Sequence, residues 1–194
     1  MIKLILLAAI GCGPADLEVA TNDSGDNSPQ LPPIEYGINI TDSCSHDQIG
    51  ARVCDFKFDD HTGNPWRLYE HEGKIIVLDF SAAWCGPCQN AGYYAQPIQD
   101  DYAGEVVMVT LLMAGIENLP TTQEDVQVWA TEHGNISSPV LQSPAAQVMD
   151  PSGITGYDVQ GYPTYIYLTR DLSIHLGHTG FSEEYMRSTI DGML

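Results

Sequence analysis

Residues 75–88 read Ile75-Ile-Val-Leu-Asp-Phe-Ser-Ala-Ala-Trp-Cys-Gly-Pro-Cys88. The first six are almost all apolar and begin with three β-branched side chains, a pattern that predicts a buried parallel strand over 75–80. A helix is predicted from Pro87 to Asp101, because proline suits a first helical turn, where its missing N–H is not needed. The chain therefore passes from a buried strand into a helix, with Cys85 and Cys88 at the junction.

The Cys-x-x-Cys pair at this junction predicts redox chemistry. A thiolate at a helix N-terminus is stabilised by unpaired backbone N–H groups, so we expect Cys85 to be the exposed nucleophile. Cys88, one turn further along, is expected to be more buried and to attack a mixed disulfide formed on Cys85. Two alternatives remain, an inert disulfide or half of a zinc site completed by His175 and His178. If these histidines lie on one strand, they point to opposite faces.

The remaining pattern extends the same architecture downstream of the motif. Apolar runs and turn signals predict the order β-α-β-α-β-β-α from residue 74 onward. After the strand and helix of the motif, the predicted elements are a strand over Glu105–Met113, a helix from a capping box at Thr121 to His133 with Gly134 closing it, a hairpin of Tyr162–Leu168 with Leu172–Leu176, and a last helix with Ser182 as N-cap. A short strand over Ser138–Gln142 would be an addition to this order. Upstream, the alternation over Arg52–Phe58 predicts a further strand.

Two segments resemble the thioredoxin superfamily. Residues 77–88 are similar to the active-site segment of thioredoxins, and Val159-Gln-Gly-Tyr-Pro-Thr-Tyr165 is similar to the segment that carries the family's cis-proline, here Pro163. The resemblance covers about residues 66–194 and implies an α/β thioredoxin-like fold, a central mixed β-sheet flanked by helices. The path between the two motifs is longer than in minimal thioredoxins. This inserted helical element, roughly 115–158, resembles the extracytoplasmic TlpA/ResA-type branch.

The resemblance also implies roles for individual residues. The catalytic set is Cys85, Cys88, Asp79, Trp84 and Pro163, and the substrate groove is formed by Gly86, Pro87 and Tyr162. Asp79 matches the family's buried aspartate, but the usual lysine partner is absent from 109–113. We therefore expect burial to raise the pKa of Asp79 and to suit it to proton exchange with Cys88. The alternative is a solvated or N–H-paired carboxylate.

The N-terminus predicts export and lipid anchoring. Lys3 precedes a short apolar stretch that ends at Gly11, and Ala9-Ile-Gly-Cys12 resembles a bacterial lipobox. We expect residues 1–11 to be a signal peptide and Cys12 the lipidation site. The alternatives are a plain signal peptide or a buried strand with a free cysteine. Residues 12–33 are acidic and rich in Pro, Gly and Ser, which predicts a flexible tether. The domain then spans 34–194, with an N-terminal extension over 34–65.

Cys44 and Cys54 are the cysteines left over after Cys12, Cys85 and Cys88. In an oxidising compartment the two most simply form a structural disulfide. A second redox pair, or two ligands of a metal site, are the alternatives. Neither a metal site nor an organic cofactor is predicted, because no ligand spacing accompanies the cysteines and histidines.

The charge of the chain excludes some partners. Seven Lys and Arg oppose 26 Asp and Glu, for a net charge of −19. Such a surface repels phosphate backbones and anionic headgroups, so nucleic-acid binding and docking to a membrane through a basic patch are not expected. No apolar run reaches the length of a transmembrane helix. The expected partners are protein thiols and disulfides and a redox partner, with contact to the membrane through the lipid anchor only, and the protein is expected to be a monomer.

These observations predict a thiol:disulfide oxidoreductase in an extracytoplasmic space, lipid-anchored to a bacterial membrane. Dithiol exchange through Cys85 and Cys88 would reduce disulfides of exported proteins, although the sequence leaves the direction of electron flow open. The alternative is a non-catalytic copper or haem-assembly chaperone, in which both cysteines serve as soft ligands for Cu(I). A third Met, His or Cys ligand beside the pair would favour that alternative.

Overall fold

The computed structural model describes residues 31–41 and 43–194. The predicted signal peptide, the predicted lipidation site Cys12 and tether residues 13–30 lie outside this part. In the described ranges no helix has both the length and the apolar character needed to cross a membrane. In chain order the elements are β1 (Gly37–Asn39), β2 (Asp55–Asp59), β3 (Pro65–Arg67), a 3-10 helix (Leu68–His71), β4 (Ile75–Ser81), α1 (Gly86–Gly92), α2 (Ala95–Asp101), β5 (Val106–Leu112), α3 (Gln123–His133), β6 (Val140–Gln142), α4 (Ala145–Val148), β7 (Thr164–Leu168), β8 (Ile174–Thr179) and α5 (Glu183–Asp191).

The centre of the fold is a five-stranded mixed sheet in the spatial order β6-β5-β4-β7-β8. The middle strand, β4, pairs in parallel with β5 and antiparallel with β7. All seven residues of β4 are buried, since both faces of the sheet are covered, and this explains its unbroken apolar run. The predicted fold class, a central mixed sheet with helices and an inserted helical element, is confirmed.

Each face of the sheet has its own apolar core. On one face, Ile75 and Val77 of β4 pack with Ile98 of α2 and Ile190 of α5. On the other face, alternate residues of β4 such as Leu78 pack against side chains of the N-terminal extension and of the segment before β7. The period-two alternation of a strand places neighbouring residues in different cores.

The predicted single helix over 87–101 is wrong. The chain forms two helices, α1 and α2, separated by Tyr93 and Tyr94. Pro97 is the physical reason, since a proline in a helix interior lacks the N–H and its ring clashes with the carbonyl four residues earlier, here that of Tyr93. With the break, Pro97 falls in the first turn of α2, where proline is tolerated.

The inserted helix α3 begins one residue later than predicted. Thr122, not Thr121, is the N-cap: its Oγ1 accepts the Asp125 N–H at 3.2 Å, and the Asp125 carboxylate accepts the Thr122 N–H at 2.8 Å. The hydroxyl of Thr121 is buried and donates to the Leu112 carbonyl at 2.6 Å. Gly134, in the left-handed conformation with φ 71°, ends the helix.

The N-terminal extension builds a second sheet, in the order β1-β2-β3, that the sequence did not predict beyond one strand. The strand predicted over 52–58 is shifted to Asp55–Asp59. Arg52 lies outside it and pairs with Glu72 at 2.9 Å. Asp55 at the start of β2 accepts from Arg67 at 2.6 Å in a buried ion pair, which ties β2 to β3. The extension is therefore an integral layer of the domain.

Cys44 and Cys54 are joined by a disulfide that closes the loop before β2. Cys54 is fully buried, and the neighbouring Val53 N–H donates to the Leu172 carbonyl at 2.9 Å. The loop is short, so its closure is expected to stabilise the folded state by about 2–3 kcal/mol through the lower entropy of the unfolded chain. The double substitution C44S/C54S should lower the free energy of unfolding by that amount in urea titrations. An unchanged value would contradict a structural role for this disulfide.

Candidate active site

Cys85 and Cys88 lie at the junction between β4 and α1. Cys85 is the N-cap of α1, and its Sγ accepts the Cys88 N–H at 3.3 Å. The two sulfurs are joined as a disulfide. Cys88 is fully buried, and Cys85 is only 4% exposed, so the prediction of an exposed Cys85 is wrong for the oxidised chain. The order of accessibility is nevertheless the one predicted, because Cys85 lines an open groove and Cys88 does not.

The groove beside Cys85 has a volume of about 440 Å³. One wall comes from the motif, through Trp84, Gly86 and Pro87, and the other from residues close to the second motif. The wall opposite the motif consists of Met149, Val159, Gln160, Gly161 and Tyr162. Trp84 is 45% exposed and meets the Tyr162 ring edge-on, with the centroids 5.9 Å apart. The fold thus brings all three predicted groove residues, Gly86, Pro87 and Tyr162, together at Cys85.

Tyr162 precedes Pro163, and the peptide bond between them is cis. The Tyr162 hydroxyl donates to Met149 Sδ at 3.3 Å, and burial raises the pKa of this phenol. In the described part of the chain, neither the backbone N–H nor the carbonyl of Tyr162 has a hydrogen-bond partner. An extended polypeptide lying in the groove could take up both groups.

Met149 and Gln160 line the groove but were not among the predicted site residues. Met149 follows the short helix α4 inside the insertion, 61 residues after Cys88. Only the return of the chain toward β7 places it there. A lone methionine in a loop carries no periodic or spacing signal, so sequence reasoning had no means of finding it.

Asp79 lies on β4 beneath the motif and is 4% exposed. Burial raises its pKa to about 7, against the opposing effect of the Ser81 hydroxyl, which donates to the carboxylate at 2.7 Å. Among the described residues no lysine, arginine or histidine forms an ion pair with it. The carboxyl also lines a cavity of about 10 Å³, close to the size of one water molecule, with Ala91 of α1 on the same wall. Asp79 is therefore a buried acid with its pKa raised to near neutral pH.

The inserted helix α3 packs against the disulfide. Its residues Val126, Trp129 and Ala130 share one apolar cluster with Cys85 and Cys88. The insertion is thus part of the wall around the disulfide, and it excludes water from Cys88.

Histidines of the described ranges do not complete a metal site with the motif. No cluster of three or more His, Cys, Asp or Glu side chains suited to a metal ion occurs there. His175 and His178 both lie on β8, where an odd spacing puts their side chains on opposite faces. His175 is exposed, whereas His178 stacks on Tyr165 with the ring centroids 5.3 Å apart.

Comparisons with known proteins agree with this geometry. The sequence profile of the AhpC/TSA family matches residues 49–174. Thioredoxin-like protein YneN of Bacillus subtilis is 26% identical over 146 residues, which cover 74% of this chain and 79% of that protein. The thiol-disulfide oxidoreductase ResA of Halalkalibacterium halodurans is 26% identical over 139 residues, covering 72% and 73%. A crystal structure from Chlorobium tepidum, described as a thiol:disulfide interchange protein DsbE, aligns with a TM-score of 0.60 at 25% identity over 76% of this chain and 98% of that chain.

Proposed function

The chain belongs to the AhpC/TSA family of thioredoxin-like proteins, and from that premise we propose that it reduces protein disulfides by dithiol exchange through Cys85 and Cys88. The observation that carries the proposal is the unequal access to the two sulfurs. Cys85 opens onto the groove beside Tyr162, whereas Cys88 is sealed beneath it by α3. A substrate can therefore reach Cys85, whereas Cys88 is placed to attack only Cys85.

The exchange begins with both cysteines reduced. The Cys85 thiolate attacks one sulfur of a substrate disulfide, which forms a mixed disulfide and releases the other substrate sulfur as a thiolate. Cys88 then loses its proton and attacks Cys85, which releases the second substrate thiolate and leaves the Cys85–Cys88 disulfide. Asp79 is the acceptor proposed for the Cys88 proton. Two electrons pass from the dithiol to the substrate, and a separate donor must restore the dithiol.

Residues around the pair take positioning roles in this proposal. The Cys88 N–H that contacts Cys85 Sγ stabilises negative charge on that sulfur. Trp84 and Tyr162 form the two walls between which the substrate disulfide enters. Gly86 and Pro87 line the groove beside Trp84, and Pro163 follows Tyr162 through a cis peptide bond, so that an extended chain can approach the sulfur closely.

We further propose an extracytoplasmic, lipid-anchored location. Its support lies in the sequence: a charged and apolar segment over 1–11, Cys12 in a lipobox-like context, and an acidic, Pro- and Gly-rich stretch over 12–33. The Cys44–Cys54 disulfide agrees with an oxidising compartment. The domain of residues 34–194 would then act at the end of a flexible tether.

A second candidate, Cu(I) binding, has one observation in its favour. The Met149 thioether lines the same groove as Cys85, and thiolates with a thioether form a soft ligand set. Against it, the Met149 sulfur already accepts a hydrogen bond from Tyr162.

The test is turnover together with the reduction potential, measured on the full-length chain with Cys12→Ser. Catalysed reduction of insulin by dithiothreitol, and a potential near about −270 mV against glutathione or dithiothreitol buffers, would support the reductase. A potential near about −120 mV would make the protein an oxidant instead. Stoichiometric Cu(I) binding without turnover would replace the proposal by the second candidate.

A further inference from the structure

The carbonyl of Gln89 is left without its helical partner by the break between α1 and α2. In a continuous helix this oxygen would accept the Tyr93 N–H, but that N–H points to Ala91 instead. The last four carbonyls of any helix need other partners, and a buried carbonyl without one is costly. At Gln89 a side chain from a distant element takes the place of the missing N–H, because His133 Nε2 lies 3.0 Å from this oxygen.

His133 is the last residue of α3 and is 4% exposed. Its other ring nitrogen, Nδ1, lies 2.8 Å from the Trp129 carbonyl. Both ring nitrogens therefore face carbonyl oxygens. A carbonyl oxygen only accepts, and a neutral imidazole has a single N–H, so one of the two contacts would set a lone pair against an oxygen. Both contacts are hydrogen bonds only when the ring carries two protons.

The surroundings of His133 suit a ring that donates a hydrogen bond to a carbonyl oxygen. The Gln89 and Trp129 carbonyls belong to the C-terminal parts of α1 and α3, where the helix dipoles favour positive charge. The rings of Trp129 and Tyr93 lie 4.3 and 4.6 Å from the imidazole, centroid to centroid, and these contacts fix the orientation of the ring. No carboxylate of the described residues forms an ion pair with His133. The groups packed against the ring from α1 are Gln89 and Gly92, which are uncharged.

Gln89 connects this contact to the redox motif. Its N–H donates to the Cys85 carbonyl at 3.0 Å, and its side-chain amide donates to the Ala83 carbonyl at 2.6 Å. Together with the His133 contact to its carbonyl, Gln89 makes three polar contacts. Two of them fix Ala83 and Cys85, the residues on either side of Trp84. Gly92 is part of the same arrangement, because a Cβ at this position would lie 2.6 Å from His133 Cδ2.

We propose that His133 is a positioning residue of the active site: its Nε2 donates to the Gln89 carbonyl and thereby holds Cys85 in the geometry in which its thiolate is stabilised. The proposal rests on the dithiol exchange proposed above. Without the cap, the first turn of α1 is less well fixed and its N–H groups stabilise the Cys85 thiolate less. The dithiol form then becomes less stable relative to the disulfide, and the pair becomes more reducing.

Two substitutions test the proposal by different routes. His133→Phe keeps a ring but removes the ring nitrogens, and Gly92→Ala displaces the ring while leaving the histidine in place. Each should shift the equilibrium with glutathione about tenfold toward the disulfide, about 30 mV in potential, and slow the attack of Cys85 on a small disulfide probe. Alanine is a better helix former than glycine, so helix propensity alone predicts that Gly92→Ala strengthens α1. A shift toward the disulfide in this variant would therefore come from displacement of the His133 ring.

The matched controls are His175→Phe, at an exposed histidine on β8, and Gly192→Ala, at the end of α5, where a Cβ meets only ordinary contacts. Both should keep the wild-type potential. Nitrogen-15 NMR of the full-length chain with Cys12→Ser should show a proton on Nε2 of His133. A bare Nε2, or wild-type potentials in both test variants, overturns the proposal. Lack of insulin turnover by the parent chain with a proton on His133 Nε2 would instead count against the proposed function.

Discussion

Replacing Cys88 with serine is expected to trap the protein in a mixed disulfide with its substrate. Cys85 still lines the groove and attacks, but the sulfur that would release it is gone, so the covalent intermediate accumulates. Replacing Cys85 with serine should instead prevent the intermediate from forming, since Cys88 is fully buried. Each variant should lose turnover by at least about a thousandfold, the order seen when a covalent catalyst loses its nucleophile.

The measurement combines insulin turnover with mass spectrometry of the protein after incubation with a disulfide-containing peptide. The matched control is the double variant C44S/C54S, which removes the other disulfide and should keep turnover. A peptide adduct on Cys88 in the Cys85→Ser variant would show that the order of attack is wrong. Loss of turnover in the control variant would show that the Cys44–Cys54 pair takes part in the exchange.

Asp79→Asn is expected to stabilise the oxidised protein above neutral pH. Because burial raises the pKa of Asp79 to about 7, the folded chain holds a proton between about pH 4 and 7 that the unfolded chain has lost. Stability therefore falls as pH rises through this window and levels off once the folded carboxyl is also ionised. A difference of about three pKa units corresponds to about 4 kcal/mol at most. An asparagine never ionises, so it avoids this cost.

Urea titrations at pH 5 and pH 8 measure the effect. The gain in unfolding free energy should be roughly 2–4 kcal/mol at pH 8 and should shrink toward pH 5. Glu117→Gln, at an exposed acidic residue, is the control and should change neither value by more than a few tenths of a kcal/mol. Equal stability of Asp79→Asn and wild type at pH 8 would contradict a buried, ionised carboxylate.

The same substitution should slow turnover. If Asp79 receives the proton of Cys88, its loss leaves the second attack without an acceptor, and general-base catalysis of this kind contributes about a hundredfold or more. The mixed disulfide should then persist longer, as in the Cys88→Ser variant but reversibly. Wild-type resolution rates in Asp79→Asn would remove the carboxyl from the proposed proton path.

The local pattern was sufficient for the elements that carry the motif. Residues 75–80 formed a buried strand because an unbroken apolar run suits a strand covered on both faces. Cys85 became the N-cap of α1, with Pro87 in its first turn. The predicted helix over 87–101 was too long, because Pro97 interrupts it and divides it into α1 and α2. The N-cap of α3 was misplaced by one residue because Thr121 and Thr122 offer the same hydroxyl, and tertiary contacts decided between them.

The sequence by itself determined the redox motif, the strands of the central sheet and the helices α3 and α5, since these depend on residue types at short spacing. Only the tertiary structure decided which groups surround the pair. Met149 in the groove with Cys85, the burial of Asp79, and His133 on the Gln89 carbonyl, 44 residues away, all depend on how separate elements pack. Such contacts leave no periodic signal, because each is made once, between residues that only the folded chain brings together.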